Sequence, residues 1–238
     1  MKPTIVLVHG AFAESSSWNG IIEPLQSAGH TVIAVANPLR GVASDAQYVT
    51  DVVRGIEGPV VLVGHSYGGS VITDVASDAG EIVGLVFLSG FASDVGETPA
   101  ELSGKFPGGT LGPTLKSVPQ ADGAVDLYIA QDRYHAQFCA DLPELEARQM
   151  AVTQRPILAA AFDDATVAPL WKSVPSWFMF GELDRNIPAA AHRFMAERAN
   201  SRRTVEIAGA SHVAGMSHPD ELIELILQAA KAEAYATG

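Results

Sequence analysis

The sequence predicts an α/β protein built on a doubly wound, mostly parallel sheet. Three observations carry that reading. Six short β-branched runs recur along the chain, at residues 5–8, 31–35, 60–63, 82–88, 177–180 and 204–207. Uninterrupted apolar runs of this length are what strands buried on both faces look like. Segments with apolar residues at i, i+3, i+4 and i+7 lie between them, and a glycine-rich turn joins the third run to the helix-like stretch that follows.

Taken in order, residues 5–8 form the first strand and end in the turn His9-Gly10-Ala11-Phe12. The stripe Trp18, Ile21, Ile22, Leu25 marks a helix, and residues 31–35 return as a strand. Ser44 and Gln47 are spaced as a capping box ahead of the stripe Val49, Val52, Val53, Ile56. The strand at 60–63 leads to a helix at 70–78, and 82–88 is the next strand. After residue 176 come the strand 177–180, a helix opened by Pro188, and the strand 204–207. Ser217 and Asp220 are spaced as a second capping box before Leu222, Ile223, Leu225, Ile226 and Ala229. Chemistry in such a sheet belongs at the carboxyl ends of its strands.

The alternation stops after Gly90. Residues 91–175 begin rich in Gly and Pro and turn helix-like through Phe162. A stretch this long inside a compact domain is expected to be a lid or insert. It holds Leu127, Tyr128, Ile129, Phe138 and Leu145, apolar residues that need burial and argue against a disordered linker. The expected organisation is a core of residues 1–90 and 176–238 with a helical cap, residues 91–175, laid over the strand ends.

Composition narrows the function classes. The 238 residues are 47% hydrophobic and 18% charged, which suits one globular domain. A net charge of −12 argues against a nucleic-acid partner, which needs a basic stripe. No stretch approaches the ~20 apolar residues of a membrane span, and the first apolar run starts at residue 4, leaving no room for a signal peptide. The single cysteine, Cys139, fits a reducing compartment and reads as a structural thiol. The expectation is a cytoplasmic protein with a small-molecule partner, a homodimer being left open.

The turn after residues 60–63 reads Gly64-His65-Ser66-Tyr67-Gly68-Gly69, a Gly-x-Ser-x-Gly pattern between strand and helix. A nucleophile on so tight a turn has a strained backbone, and its neighbours two residues away pack too closely for any side chain. The helix N-terminus beyond it favours a developing anion. A dinucleotide fingerprint needs Gly-x-Gly-x-x-Gly, a spacing that Gly64, Gly68 and Gly69 do not provide, and no phosphate-loop lysine motif occurs. Neither nucleotide nor metal is expected.

Ser66 needs a base. Of seven histidines, His212 follows the last strand at its carboxyl end. His218 sits at a helix start and reads as a cap; His30, His65, His135 and His192 read as surface or packing. Asp184, after the strand 177–180, is the candidate carboxylate and gives the chain order Ser, Asp, His. Glu182 is the runner-up, with Asp163 or Asp164 more remote. Oxyanion donors are expected from the N–H groups of Tyr67 and of Ala11, with Phe12 close behind Ala11; the His9 ring can brace that loop. Phe12 and the cap residues Phe106, Tyr128, Phe138 and Trp171 are candidates to wall the pocket.

Val8-His9-Gly10-Ala11-Phe12, Trp18, Ala28-Gly29-His30, the Gly64 to Gly69 turn, Gly181 to Asp184, and Ser211-His212 to His218-Pro219 together resemble small bacterial α/β hydrolases related to the plant methylesterase and hydroxynitrile lyase group. The resemblance covers nearly the whole chain and is weakest over the insert. It implies the α/β-hydrolase fold, with the cap following the sixth-type strand, a Ser66–Asp184–His212 triad, and oxyanion positions at Ala11 and Tyr67. Lyases of this group carry a lysine just after the catalytic histidine, whereas here His212 is followed by Val213-Ala214-Gly215-Met216. The expectation is therefore a cofactor-free serine hydrolase of carboxylesterase type, acting on a small apolar or aromatic ester through an acyl-enzyme. A lyase-like enzyme, or a non-catalytic ligand receptor on the same scaffold, is the alternative.

Overall fold

The structure, a computed structural model, describes residues 1–231. In chain order its first part forms β1 (Thr4–Val8), α1 (Asn19–Ser27), β2 (Val32–Val35), α2 (Val42–Arg54), β3 (Pro59–His65), α3 (Tyr67–Thr73) and β4 (Glu81–Leu88). The insert follows with α4 (Pro99–Gly104), β5 (Leu115–Pro119), β6 (Val125–Ile129), α5 (Gln131–Phe138), α6 (Glu144–Thr153) and β7 (Ile157–Leu158). The chain then returns through β8 (Ser176–Gly181), α7 (Ala189–Arg198), β9 (Arg203–Ile207), α8 (Ala214–Ser217) and α9 (Pro219–Lys231).

Six strands pair in parallel in the order β2-β1-β3-β4-β8-β9. The apolar runs are uninterrupted because alternate side chains serve opposite layers. Val6, Val8, Leu62, Phe87 and Phe178 pack with α2, α3 and α7 on one face. Ile5, Leu7, Val63, Val86 and Trp177 pack with α1 and α9 on the other. Phe87 and Phe178 are register partners, and their rings stack at 4.7 Å between centroids. The reversal of strand order at β1/β3 opens the crevice where ligands of such sheets bind.

The segment 91–175 differs from the helical cap expected of it. Besides α4, α5 and α6 it contains a three-stranded antiparallel sheet, β5-β6-β7. The signal for it was a two-residue alternation, Val125, Leu127 and Ile129, after an Asp122-Gly123 turn in which Gly123 has φ 88°. Ile129, Tyr134, Phe138, Ala147 and Ile157 belong to the same buried cluster as the sheet residues. The insert thus completes the core rather than floating above it.

Helix starts also depart from expectation. Neither sequence-spaced capping box forms at the core helices. α2 begins at Val42, two residues before Ser44, and Gly41 at its N-cap has no side chain to offer. The Val42 N–H instead donates to Asp164 Oδ2 at 2.9 Å, across 122 residues of chain. The Asp45 carboxylate turns back to accept from Arg40 N–H and Gly41 N–H. Ser217 Oγ is engaged by Ala214 O and His218 Nδ1 rather than by α9. A capping box does form at α4, where Thr98 Oγ1 accepts from Glu101 N–H and Glu101 Oε2 from Thr98 N–H.

Asp164→Ala should expose the cost of a cap supplied from the insert. Loss of an N-cap acceptor costs about 1 kcal/mol, so the thermal midpoint should fall by roughly 2–4 °C for a chain of this size. Scanning calorimetry checks it, and an unchanged midpoint would show that the contact contributes nothing.

Candidate active site

The site begins with a backbone constraint. Ser66 sits between β3 and α3 at φ 55°, ψ −123°, a conformation that costs a non-glycine residue of order 1–3 kcal/mol. Its N–H donates to Leu88 O at 3.1 Å, and its carbonyl accepts from Gly69 N–H at 2.9 Å and Phe91 N–H at 3.1 Å. Residue 66 is therefore pinned to the end of β4 on both sides. A Cβ on Gly64 would lie 2.5 Å from Gly68 O, and one on Gly68 would lie 2.3 Å from Val8 O. The turn presses its backbone against β1, and only glycine fits at either position.

His212 lies between β9 and α8, fully buried. Its Nδ1 donates to Asp184 Oδ2 at 2.7 Å, which leaves Nε2 with a free lone pair and no hydrogen-bond partner among the described residues, Ser66 included. Asp184, in the turn after β8, is equally buried. Its Oδ1 accepts the N–H groups of Asn186 and Ile187 at 2.8 and 2.9 Å. Burial alone would push this carboxyl up. The facing His212 and the bonds from His192 and His212 outweigh burial and hold it far below the usual carboxylate range.

His192, taken from the sequence as surface or packing, is the second histidine on that carboxylate. Its Nε2 donates to Asp184 Oδ2 at 3.2 Å while the ring stacks on Phe180 at 4.9 Å. No motif marks it; the i, i+8 separation from Asp184 becomes contact only through the fold of α7 onto β8. His65 is also buried. Its Nε2 donates to the His212 carbonyl at 3.1 Å, and its ring lies 4.9 Å from the His212 ring. Phe138 meets the His212 ring edge-on at 5.1 Å. The His212 imidazole is thus walled by rings and held by one carboxylate.

Two backbone donors stand near Ser66. Tyr67 N–H is the first of α3, and its phenol donates to the buried Asp45 carboxylate at 2.9 Å, fixing the residue. Burial pushes the Asp45 carboxyl up and the Tyr67 hydroxyl well up. In the turn after β1, Phe12 N–H is spent on Arg155 O at 3.1 Å. Of the two candidate N–H groups in this turn, that leaves Ala11 without a partner among the described residues. Gly10 makes the approach possible, since a Cβ there would lie 2.6 Å from Ser66 Cβ. His9 Nδ1 donates to Gly10 O at 2.9 Å, so its ring does brace this loop.

A cavity of about 230 Å³ opens on Ser66, Ala11 and Phe12. Phe91, Leu111, Leu115, Phe162 and Ile187 form its walls, Ser103 and Asn186 supply polar atoms, and no charged side chain lines it. Of the wall residues expected from the sequence, Phe12 alone lines it. Phe138 lies behind the histidine. Phe106 packs on Phe194 at 5.8 Å. Trp171 is buried with its indole N–H on Ser93 O. Tyr128 is on the outer face of β6 opposite Lys116, because strand alternation turns Leu127 and Ile129 inward. A second cavity of about 210 Å³ beyond His65 is lined by Trp18, Leu88, Val213 and Met216 but does not reach Ser66.

The remaining candidates are accounted for. Glu182 is exposed and accepts Gly209 N–H, Asp164 caps α2, and Asp163 is exposed. Cys139 is buried, and burial pushes its thiol up to about 12, which makes it inert at neutral pH. No group of three or more potential metal ligands occurs among the described residues. No described helix is long and apolar enough to cross a membrane.

A six-stranded parallel sheet, an elbow between β3 and α3 and an insert after β4 together define an α/β hydrolase. The chain belongs to the Alpha/beta hydrolase family, which matches residues 5–225. It is 26% identical over 246 residues to the alpha-hydroxynitrile lyase of Arabidopsis thaliana, covering 94% of this chain and 95% of that protein. Putative methylesterase 19 of the same plant is 25% identical over 264 residues, covering 96% and 98%. The crystal structure of polyneuridine aldehyde esterase has the same fold, with a TM-score of 0.81 at 20% identity over 96% of this chain and 99% of that one. Esterase and lyase names both occur among these relatives.

The buried histidines set an acid limit on stability. Burial lowers His9 to about 4; burial and the facing His212 lower His65 to about 3. Both titrate near 6.5 once unfolded. Between about pH 6.5 and 4 the unfolded chain therefore holds more protons at these positions than the native one, and their contribution to stability is lost as pH falls. His9→Gln should flatten the slope of stability against pH in this window by about one proton, measured by urea unfolding from pH 4.5 to 7. Equal slopes in wild type and variant would contradict the assignment of His9 as a neutral buried ring.

Proposed function

We propose that the chain is a cofactor-free carboxylic ester hydrolase that works through an acyl-enzyme on Ser66. The observation that carries this is a strained serine and an unengaged Ala11 N–H on one small apolar cavity, in a fold that also pairs His212 with the buried Asp184 and leaves its Nε2 bare. Ser66 Oγ attacks the ester carbonyl while its proton passes to His212 Nε2, the nitrogen left bare by the Asp184 bond. Catalytic hydrogen bonds of this kind are often long in a free enzyme and tighten when substrate fills the site. The carbonyl oxygen takes on negative charge between the N–H groups of Ala11 and Tyr67; one such donor is worth about 2.7–4 kcal/mol.

Collapse of the tetrahedral intermediate breaks the bond to the alcohol oxygen, which takes its proton from His212. Water, deprotonated by His212, then attacks the acyl group and returns Ser66 with release of the acid. Asp184 keeps the imidazole in the Nδ1–H tautomer and stabilises the imidazolium. The uncharged aromatic and aliphatic wall suits a small, neutral, apolar or aromatic ester and offers nothing to a large or anionic one.

The lyase name among the relatives keeps one second reading open, in which Ser66 and His212 remove a proton from a cyanohydrin. The stretch after His212 has no lysine and the cavity no cation to hold a departing cyanide, so ester hydrolysis is the better supported. A panel of p-nitrophenyl esters of increasing acyl length, with benzoyl included, separates the two readings when run beside cyanide release from mandelonitrile. The expected result is p-nitrophenol release without cyanide, short and aromatic acyl groups being preferred. Ser66→Ala should lower kcat by roughly 10⁴-fold or more and abolish labelling by a fluorophosphonate. Equal ester cleavage by wild type and Ser66→Ala would refute the mechanism.

A further inference from the structure

The turn that carries the Ala11 donor is held by the core only up to Gly10, through His9 and Asn37. Phe12, the next residue, has φ 60°, a left-handed conformation that a bulky side chain adopts only when its surroundings enforce it. Both of its backbone groups are bonded to the insert. Its N–H donates to Arg155 O at 3.1 Å, in the segment between α6 and β7. Its carbonyl accepts from Tyr134 Oη of α5 at 2.6 Å, a buried hydroxyl with no exposure to solvent.

The two anchors are themselves fixed. Gln154, next to Arg155, is buried, and its amide clamps Ile129 N–H, Ile129 O and Ala151 O. The Tyr134 ring packs on Phe138 at 4.9 Å, and Phe138 packs in turn on Phe12 and His212. The insert therefore grips the turn after β1 from α5 and from the end of α6 together, one residue beyond the donor.

We infer that Tyr134 is a positioning residue for the oxyanion hole, so that seating the insert and aiming the Ala11 N–H are one event. The physical reason lies in the strain. Without the Tyr134 hydroxyl the buried Phe12 carbonyl loses its donor and the left-handed residue can relax; the compensating turn of the Ala11 backbone then swings the Gly10–Ala11 peptide, which carries the Ala11 N–H. A donor aimed at developing charge loses most of its effect when misdirected, whereas binding of the neutral ester in the apolar cavity is untouched. This inference rests on the ester-hydrolase reading above.

Tyr134→Phe removes one oxygen and keeps the ring, which makes it the test. Three quantities are read in wild type and variant: kcat and KM on the best p-nitrophenyl ester, both per site titrated by fluorophosphonate, and affinity for an aryl trifluoromethyl ketone. That ketone adds Ser66 and becomes a tetrahedral oxyanion. The expected result is a kcat lower by roughly ten- to a hundredfold with KM within about twofold, and ketone affinity lower by the same factor as kcat. Titration keeps any misfolded fraction out of the comparison. If kcat per site and ketone affinity stay within twofold of wild type, Tyr134 merely packs the insert and the inference is overturned. If kcat falls while ketone affinity holds, Tyr134 acts elsewhere, and the inference is again overturned. If wild type is neither labelled nor active on esters, the serine-hydrolase reading fails first and takes the inference with it.

Discussion

The backbone of Ser66 is the constraint on which the rest of the site depends. A serine at positive φ between a strand and a helix is unfavourable alone, and it persists because β1 and β4 hold it from either side. Leu88 and Phe91 fix its peptide groups, and Gly64 and Gly68 let the turn sink against Val8 to a depth that no Cβ would allow. That depth brings Gly10 within contact of Ser66, and with it the Ala11 N–H. Had the turn stood an ångström further out, Ser66 and the Ala11 N–H would belong to separate parts of the sheet edge.

Around this constraint the buried carboxylate nearest His212 has its full set of partners. Asp184 is the one carboxylate at the centre, and two backbone N–H groups and two imidazoles satisfy it. His65 and His192 are buried, and burial lowers both and favours their neutral rings, while His212 stands beside the Asp184 carboxylate. The cavity wall adds no competing charge. In a dry, weakly screening site this matters more than the number of contacts, because an unpaired ion there would be costly.

Much of this was legible in the sequence, for identifiable reasons. The central strands were found because strands buried on both faces leave an unbroken apolar run, and the exposed edge strand β9 was found by its β-branched residues. Ser66 was found because the elbow needs glycine at fixed offsets. Asp184 and His212 were picked from the expected carboxyl ends of strands, and the fold does bring them together. What failed was of another kind. Of the insert's three strands, β5 and β6 were hidden by their short, half-polar alternation and β7 by being only two residues long. The capping of α2 by Asp164 joins residues 122 apart. Phe106, Tyr128 and Trp171 were assigned to the pocket because aromatic residues in an insert could face it, yet each found a partner elsewhere.

By itself the sequence determined what local rules can carry: the alternation of strand and helix, the glycine-bounded serine turn, and the chain order of Ser66, Asp184 and His212 at strand ends. Those are properties of neighbours along the chain, set by sterics and periodicity. Only the tertiary structure decided which aromatic residues wall the cavity, that His192 shares the Asp184 carboxylate, and that Phe12 is gripped by Tyr134 and Arg155 from the insert. Each of these is a contact between distant segments whose residue types are ordinary, and packing geometry alone selects them.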